Sequence, residues 1–128
     1  MATLQLDLAN FHKTLAKNEI VVIQCWATWC GGCSTFEAVF ETASFEHSDV
    51  TFGKVDTGRQ PQLTKTLGVS QVPSLLVFRE GVLLLRLPGA VDGPELNSIL
   101  AQARALDMDV VRNELEREAR KAELAVSM

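Results

Sequence analysis

Ile20 to Trp26 is an apolar run broken only by Gln24, and it leads through Ala27-Thr28-Trp29 into Cys30-Gly31-Gly32-Cys33. An amphipathic segment, Ser34 to Ala43, follows at once, with Phe36, Val39, Phe40 and Ala43 at helical spacing. A run so poor in polar residues predicts a central strand covered on both faces, as in layered α/β folds. Both cysteines therefore fall at a strand-to-helix junction. With the helix expected to begin at about Cys30, the two side chains share a helix face and their Cα atoms lie about 5–6 Å apart, within disulfide reach. The first helical turn offers unpaired N–H groups and the positive end of the helix dipole. A thiolate at Cys30 is stabilised there, which makes Cys30 the expected attacking sulfur and Cys33, one turn inside, the resolving thiol.

Zinc is the competing use of this spacing. A structural zinc site wants four ligands, and beyond the pair only Cys25, His12 and His47 remain, none with paired spacing. The ligand shortage favours a dithiol that cycles with a disulfide, with no metal.

At 128 residues and 47% hydrophobic, the chain is sized for one domain with a real core. A net charge of −4 without a Lys/Arg cluster gives no footing for nucleic acid. No apolar run approaches membrane-spanning length, and no basic stretch precedes an apolar segment as in a secretory signal. Three cysteines fit one redox pair plus a spare, so the expected compartment is the cytoplasm, where structural disulfides are rare.

In chain order, Thr3–Leu6 reads as a short strand. Asp7 caps a helix to about Lys17, with Leu8, Phe11 and Leu15 on one face. After Ile20–Trp26 and the helix to Ala43, Val50–Asp56 reads as a strand, Pro61–Leu67 as a helix closed by Gly68, and Ser74–Phe78 with Val82–Leu87 as a hairpin turning at Glu80-Gly81. Pro94 opens a helix to about Ala105, its Leu96, Ile99 and Leu100 facing the core. The order predicts an α/β sandwich with parallel pairing first and an antiparallel hairpin at one edge. Residues 107–128 lie beyond this domain of residues 1–106. Asp109 is expected to cap a last, charged helix there whose apolar stripe, Val111, Leu115, Ala119 and Ala122, is thin. That helix reads either as a solvated extension or as a segment docked on the domain or on a second copy.

Trp29-Cys30-Gly31-Gly32-Cys33 after the strand, with Val72-Pro73 some forty residues on and Lys54, Gly81 and Gly89 in place, resembles the thioredoxin family over roughly Leu4 to Leu106. The resemblance implies the thioredoxin fold, a central mixed five-stranded sheet flanked by helices, with the C-terminal helix as an addition. It implies a cis Val72–Pro73 bond opposite the dithiol and a docking surface of Trp29, Gly31, Gly32, Val72, Pro73 and Gly89, with Ala27 and Ala90 beside it. Trp26 is expected to pack on the active-site loop, and Lys54 to sit near Gln24. Protein disulfides are the implied substrates and a thioredoxin reductase, usually a flavoenzyme using NADPH, the implied electron donor; no bound cofactor is needed.

Three positions depart from the family pattern. Gly32 replaces the usual proline, loosening the reduced loop and making the disulfide easier to reduce. Ser34 stands where lysine is common. Gln24 stands where the family carries a buried aspartate under the resolving cysteine, and an amide cannot take the proton that Cys33 must lose. Slower or narrower turnover is the expected result, unless Gln24 serves only to satisfy buried hydrogen bonds. Gln24 and the last helix also leave room for a second reading, a binding module with weak or specialised redox activity.

Overall fold

The computed structural model describes residues 3–127. Five strands, β1 (Thr3–Gln5), β2 (Ile20–Trp26), β3 (Val50–Asp56), β4 (Ser74–Arg79) and β5 (Val82–Pro88), form one sheet in the order β1-β3-β2-β4-β5. β1, β3 and β2 run parallel; on the other side of β2, β4 pairs antiparallel with it and β5 antiparallel with β4. The helices are α1 (Phe11–Lys17), α2 (Cys33–Glu46), α3 (Pro61–Thr66), α4 (Gly93–Ala105) and α5 (Met108–Ser127). This is the expected mixed five-stranded sheet with helices on both faces and one further helix at the C-terminus.

β2 takes the central place because its side chains have somewhere apolar to go on both sides. Ile20 and Val22 join Phe36 and Phe40 of α2, Phe52 of β3, and Leu96 and Leu100 of α4. Val21, Ile23 and Cys25 join Leu6, Phe11 of α1, and Leu63 and Leu67 at α3 on the opposite face. Alternation along β2 therefore sends Gln24 to the α2 side and Cys25 to the α1/α3 side. The β4–β5 turn has Glu80 at φ 52° and Gly81 at φ 79°, the two positive values that a two-residue hairpin turn demands.

Several helix ends differ from the sequence reading. Asp7 and Asn10 each accept a hydrogen bond from the other's backbone N–H at 2.9 Å, which closes a turn before α1. α1 thus begins at Phe11, and Leu8, expected on the helix face of Phe11 and Leu15, lies before the helix and is 51% exposed. α2 starts at Cys33 and runs on to Glu46, three residues past Ala43. At α5 the cap is Asp107, not Asp109: its carboxylate accepts from Asp109 N at 3.0 Å and Val110 N at 3.4 Å. Met108 is buried and Val111 half-buried, while side chains from Arg112 to Val126 are exposed. An ion pair from Arg112 to Glu80 ties the second turn of α5 to the hairpin.

The end of α4 is held by a residue the sequence did not flag. One Arg79 Nη1 donates to the carbonyls of Ala103 at 2.9 Å, Arg104 at 3.1 Å and Leu106 at 2.6 Å, groups that a helix C-terminus otherwise leaves unpaired. Charge-assisted bonds of this kind are the stronger class. Replacing Arg79 by Met is expected to lower the unfolding free energy by about 2 kcal/mol in urea titrations; an unchanged midpoint would remove Arg79 as the anchor of this end.

Candidate functional site

The dithiol sits where β2 leaves the sheet. After buried Ala27 the chain turns twice, Cys30 N donating to Ala27 O at 3.2 Å and Cys33 N to Cys30 O at 3.4 Å. α2 then begins at Cys33, so Cys30 stands ahead of the helix instead of within its first turn. The two glycines cause the difference. They accept turn conformations at little steric cost and weaken helix initiation, and Gly32 at the N-cap has no side chain to bind the first N–H groups.

Cys30 and Cys33 form a disulfide with Cα atoms 5.4 Å apart. The pair is unequal in access: Cys30 is half-buried, whereas Cys33 is 5% exposed. Of the sequence-predicted surface, Pro73 lies beside the dithiol loop. Val72–Pro73 is cis, and a Cβ placed on Gly32 would lie 3.9 Å from the Pro73 ring. Gly89, at φ 95°, donates its N–H to Pro73 O at 2.8 Å, which fixes the start of the following loop against the proline. Trp29 is 72% exposed and borders a groove of about 330 Å³ with Thr57, Thr64, Ser70, Gln71 and Val72.

Beneath the disulfide lies a layer of buried polar groups. Gln24 is fully buried, with Nε2 donating to Cys33 O at 3.5 Å and Oε1 without a protein partner. Lys54 faces Gln24 across the β2/β3 register. Its ammonium, however, goes to the carboxylate of Glu37 on α2, and it lies 5.5 Å from the centroid of the Trp26 ring. Trp26 ends β2, its carbonyl accepting from Thr57 N at 2.8 Å and Thr57 Oγ1 at 3.1 Å in the turn after β3. Glu37 escaped the sequence reading. It lies four residues after Cys33 on the same helix face, a spacing that by itself marks no role.

The remaining candidates lie elsewhere. Cys25 is fully buried on the opposite face of β2, and burial pushes its thiol up to about 12. His12 packs edge-on against Phe11 with ring centroids 5.1 Å apart. His47 ends α2, accepting from Arg104 at 2.9 Å and donating to Asn97 at 2.8 Å. Arg104 also grips Asp49 at 2.7 and 2.8 Å and holds that carboxyl below its usual range. Among the described residues no three His, Cys, Asp or Glu side chains converge as a metal site.

A half-exposed cysteine, disulfide-bonded to a buried one at a helix start and set beside a cis proline, defines a thiol–disulfide oxidoreductase of the thioredoxin fold. Comparison with known proteins agrees. Residues 2–102 match the family described as Thioredoxin. The Streptomyces coelicolor protein named "Putative thioredoxin 2" is 44% identical over 111 residues, covering 87% of this chain and 83% of that protein. The bifunctional thioredoxin reductase/thioredoxin of Mycobacterium leprae is 32% identical over 66% of this chain and 19% of its own. Among solved structures, a point-mutant thioredoxin from Halobacterium salinarum superposes with a TM-score of 0.76 at 26% identity, covering 82% of this chain and 93% of that one. The chain belongs to the thioredoxin family, and its redox pair is Cys30 and Cys33.

Two measurements follow from this geometry. Gly32 has φ −83°, close to the value proline imposes, and space toward Pro73. Gly32→Pro stiffens mainly the reduced loop, an effect of about 0.4–1 kcal/mol. That corresponds to a reduction potential lowered by about 10–20 mV, measurable against a glutathione redox series; an equal or higher potential would refute the loop-entropy account. In the reduced, folded protein at pH 8, iodoacetamide should modify Cys25 at least about a hundredfold more slowly than in guanidinium, because its thiolate is suppressed and covered.

Proposed function

We propose that the chain reduces protein disulfides with Cys30 as the attacking thiolate and Cys33 as the resolving thiol. The observation that carries the assignment is the unequal exposure of the two cysteines: an incoming disulfide meets Cys30 first. Cys30 Sγ attacks one substrate sulfur, the substrate S–S bond breaks, and one substrate thiolate leaves. Cys33 then loses its proton and attacks Cys30 Sγ, which breaks the mixed disulfide and releases the second substrate thiolate. The enzyme is left oxidised, and two electrons with two protons are needed to restore it.

Trp29, Gly31, Gly32, Val72, Pro73 and Gly89 form the surface that receives the substrate chain, as an extended segment laid beside the Val72–Pro73 backbone. Gln24, Lys54 and Trp26 tune the pair from below. The electron donor in this reading is a thioredoxin reductase, a partnership supported by the relative in Mycobacterium leprae named for both activities. A buried third cysteine held as a free thiol suits the reducing cytoplasm. No helix among the described residues is long and apolar enough to cross a membrane. Residues 107–128 act as a charged helical extension outside the catalytic domain of residues 1–106.

The adaptor reading has its support in the neutral Gln24 and the exposed face of α5. Insulin reduction by dithiothreitol separates the two. The wild-type protein should accelerate insulin precipitation and Cys30→Ser should abolish the gain; a wild type no faster than Cys30→Ser would favour the adaptor.

A further inference from the structure

We propose that Glu37 accepts the proton that Cys33 loses during resolution of the mixed disulfide, and that Lys54 positions it for that purpose. The inference rests on the oxidoreductase reading above and adds a participant to it. Four polar groups come from the strands and the helix that meet on this side of the sheet, Gln24, Lys54, Asp56 and Glu37, and only one is suited to receive a proton. Gln24 reaches Cys33 O with its amide, which neither gives up nor takes a proton at neutral pH. Lys54 bears a charged ammonium with an 8% exposed side chain, and it is bound to Glu37. Asp56, the other carboxylate on this face of β3, is engaged by Gly58 N at 3.0 Å, Arg59 N at 3.2 Å and the Arg59 side chain at 4.0 Å.

Glu37 differs from all three. It lies one helical turn after Cys33 on α2, with Cβ atoms about 5–6 Å apart at that spacing. Its carboxylate is drawn toward the sheet by Lys54, whose own backbone pairs with Gln24 under the dithiol. Its side chain remains 49% exposed, so a proton taken from Cys33 can pass on to solvent. The charge that the family pattern sets on β2 at position 24 is, in this chain, supplied from α2.

The step balances without a further reagent. Cys33 Sγ–H gives its proton to the Glu37 carboxylate, directly or through one water. The sulfur electron pair forms the bond to Cys30 Sγ, and the electrons of the Cys30–substrate bond leave on the substrate thiolate. Glu37 then returns to the carboxylate by losing the proton to solvent.

A purely structural role for Glu37 would be to neutralise buried Lys54, and the test must separate the two roles. Reduced protein mixed with Ellman's reagent releases one thionitrobenzoate on attack by Cys30 and a second on resolution by Cys33, so both rates are read in one trace. Glu37→Gln should slow the second release about tenfold or more, the lower range of general-base effects. The double variant Lys54→Met/Glu37→Gln leaves no unpaired charge. It should remain equally slow, and addition of Gln24→Asp to it should restore the second phase although no ion pair returns. If the double variant resolves at the wild-type rate, Glu37 is only a counter-ion and the inference fails; if Gln24→Asp brings no recovery, it fails as well. Melting temperatures of all variants report folding. A wild-type protein that released only the first equivalent would instead overturn the oxidoreductase reading, so the two failures are distinguishable.

Discussion

Burial of β2 on both faces is the constraint from which the site follows. A strand packed between two apolar layers cannot slip or tilt without opening one of them, so the point where it leaves the sheet is fixed in space. Ile20 and Val22 on one side and Val21 and Ile23 on the other secure it. The dithiol is attached to that fixed point by a few residues, and α2 is locked onto the same layer through Phe36 and Phe40. Sulfur atoms that must bond, part and bond again are thus carried by the least deformable part of the molecule, with only the Gly31-Gly32 turn left loose between them.

The same two layers decide what surrounds the buried cysteine. β2 contributes an uncharged amide, β3 a lysine and α2 a glutamate, so charge near Cys33 comes from two elements that meet over a third. An ammonium buried this deeply needs a counter-charge close by, because desolvation is costly and a lone buried charge more so. With Gln24 neutral, Glu37 is the carboxylate that meets the need, from a side chain that stays half exposed on α2.

Much of this was legible in the sequence. β2 was readable to the residue because its apolar run is strong on both faces, and β3 matched its expected bounds although Val50, Phe52 and Val55 alternate imperfectly. The hairpin was legible through Glu80-Gly81 and α4 through Asp92 and Pro94, whose local chemistry acts within a few residues. Ends governed by side-chain reciprocity were not: Asp7 alone reads as a cap, and only with Asn10 returning the hydrogen bond does the helix start shift to Phe11. Nor were Arg79 and Glu37 legible in their roles. Each resembles an ordinary surface charge by pattern, and its partner lies on an element distant in sequence.

The alternation of β2 carries one more consequence, for Cys25. It directly follows Gln24, yet the pleat turns it to the far side of the sheet, where it is fully enclosed. A slip of the strand by a single residue would exchange the two and set a third sulfur under the reacting pair. Three thiols in one place permit three different pairings, two of them dead ends. By holding its register, the sheet acts as a connectivity filter: each cycle of oxidation returns the molecule to the same single isomer, without an isomerase to sort out mistakes.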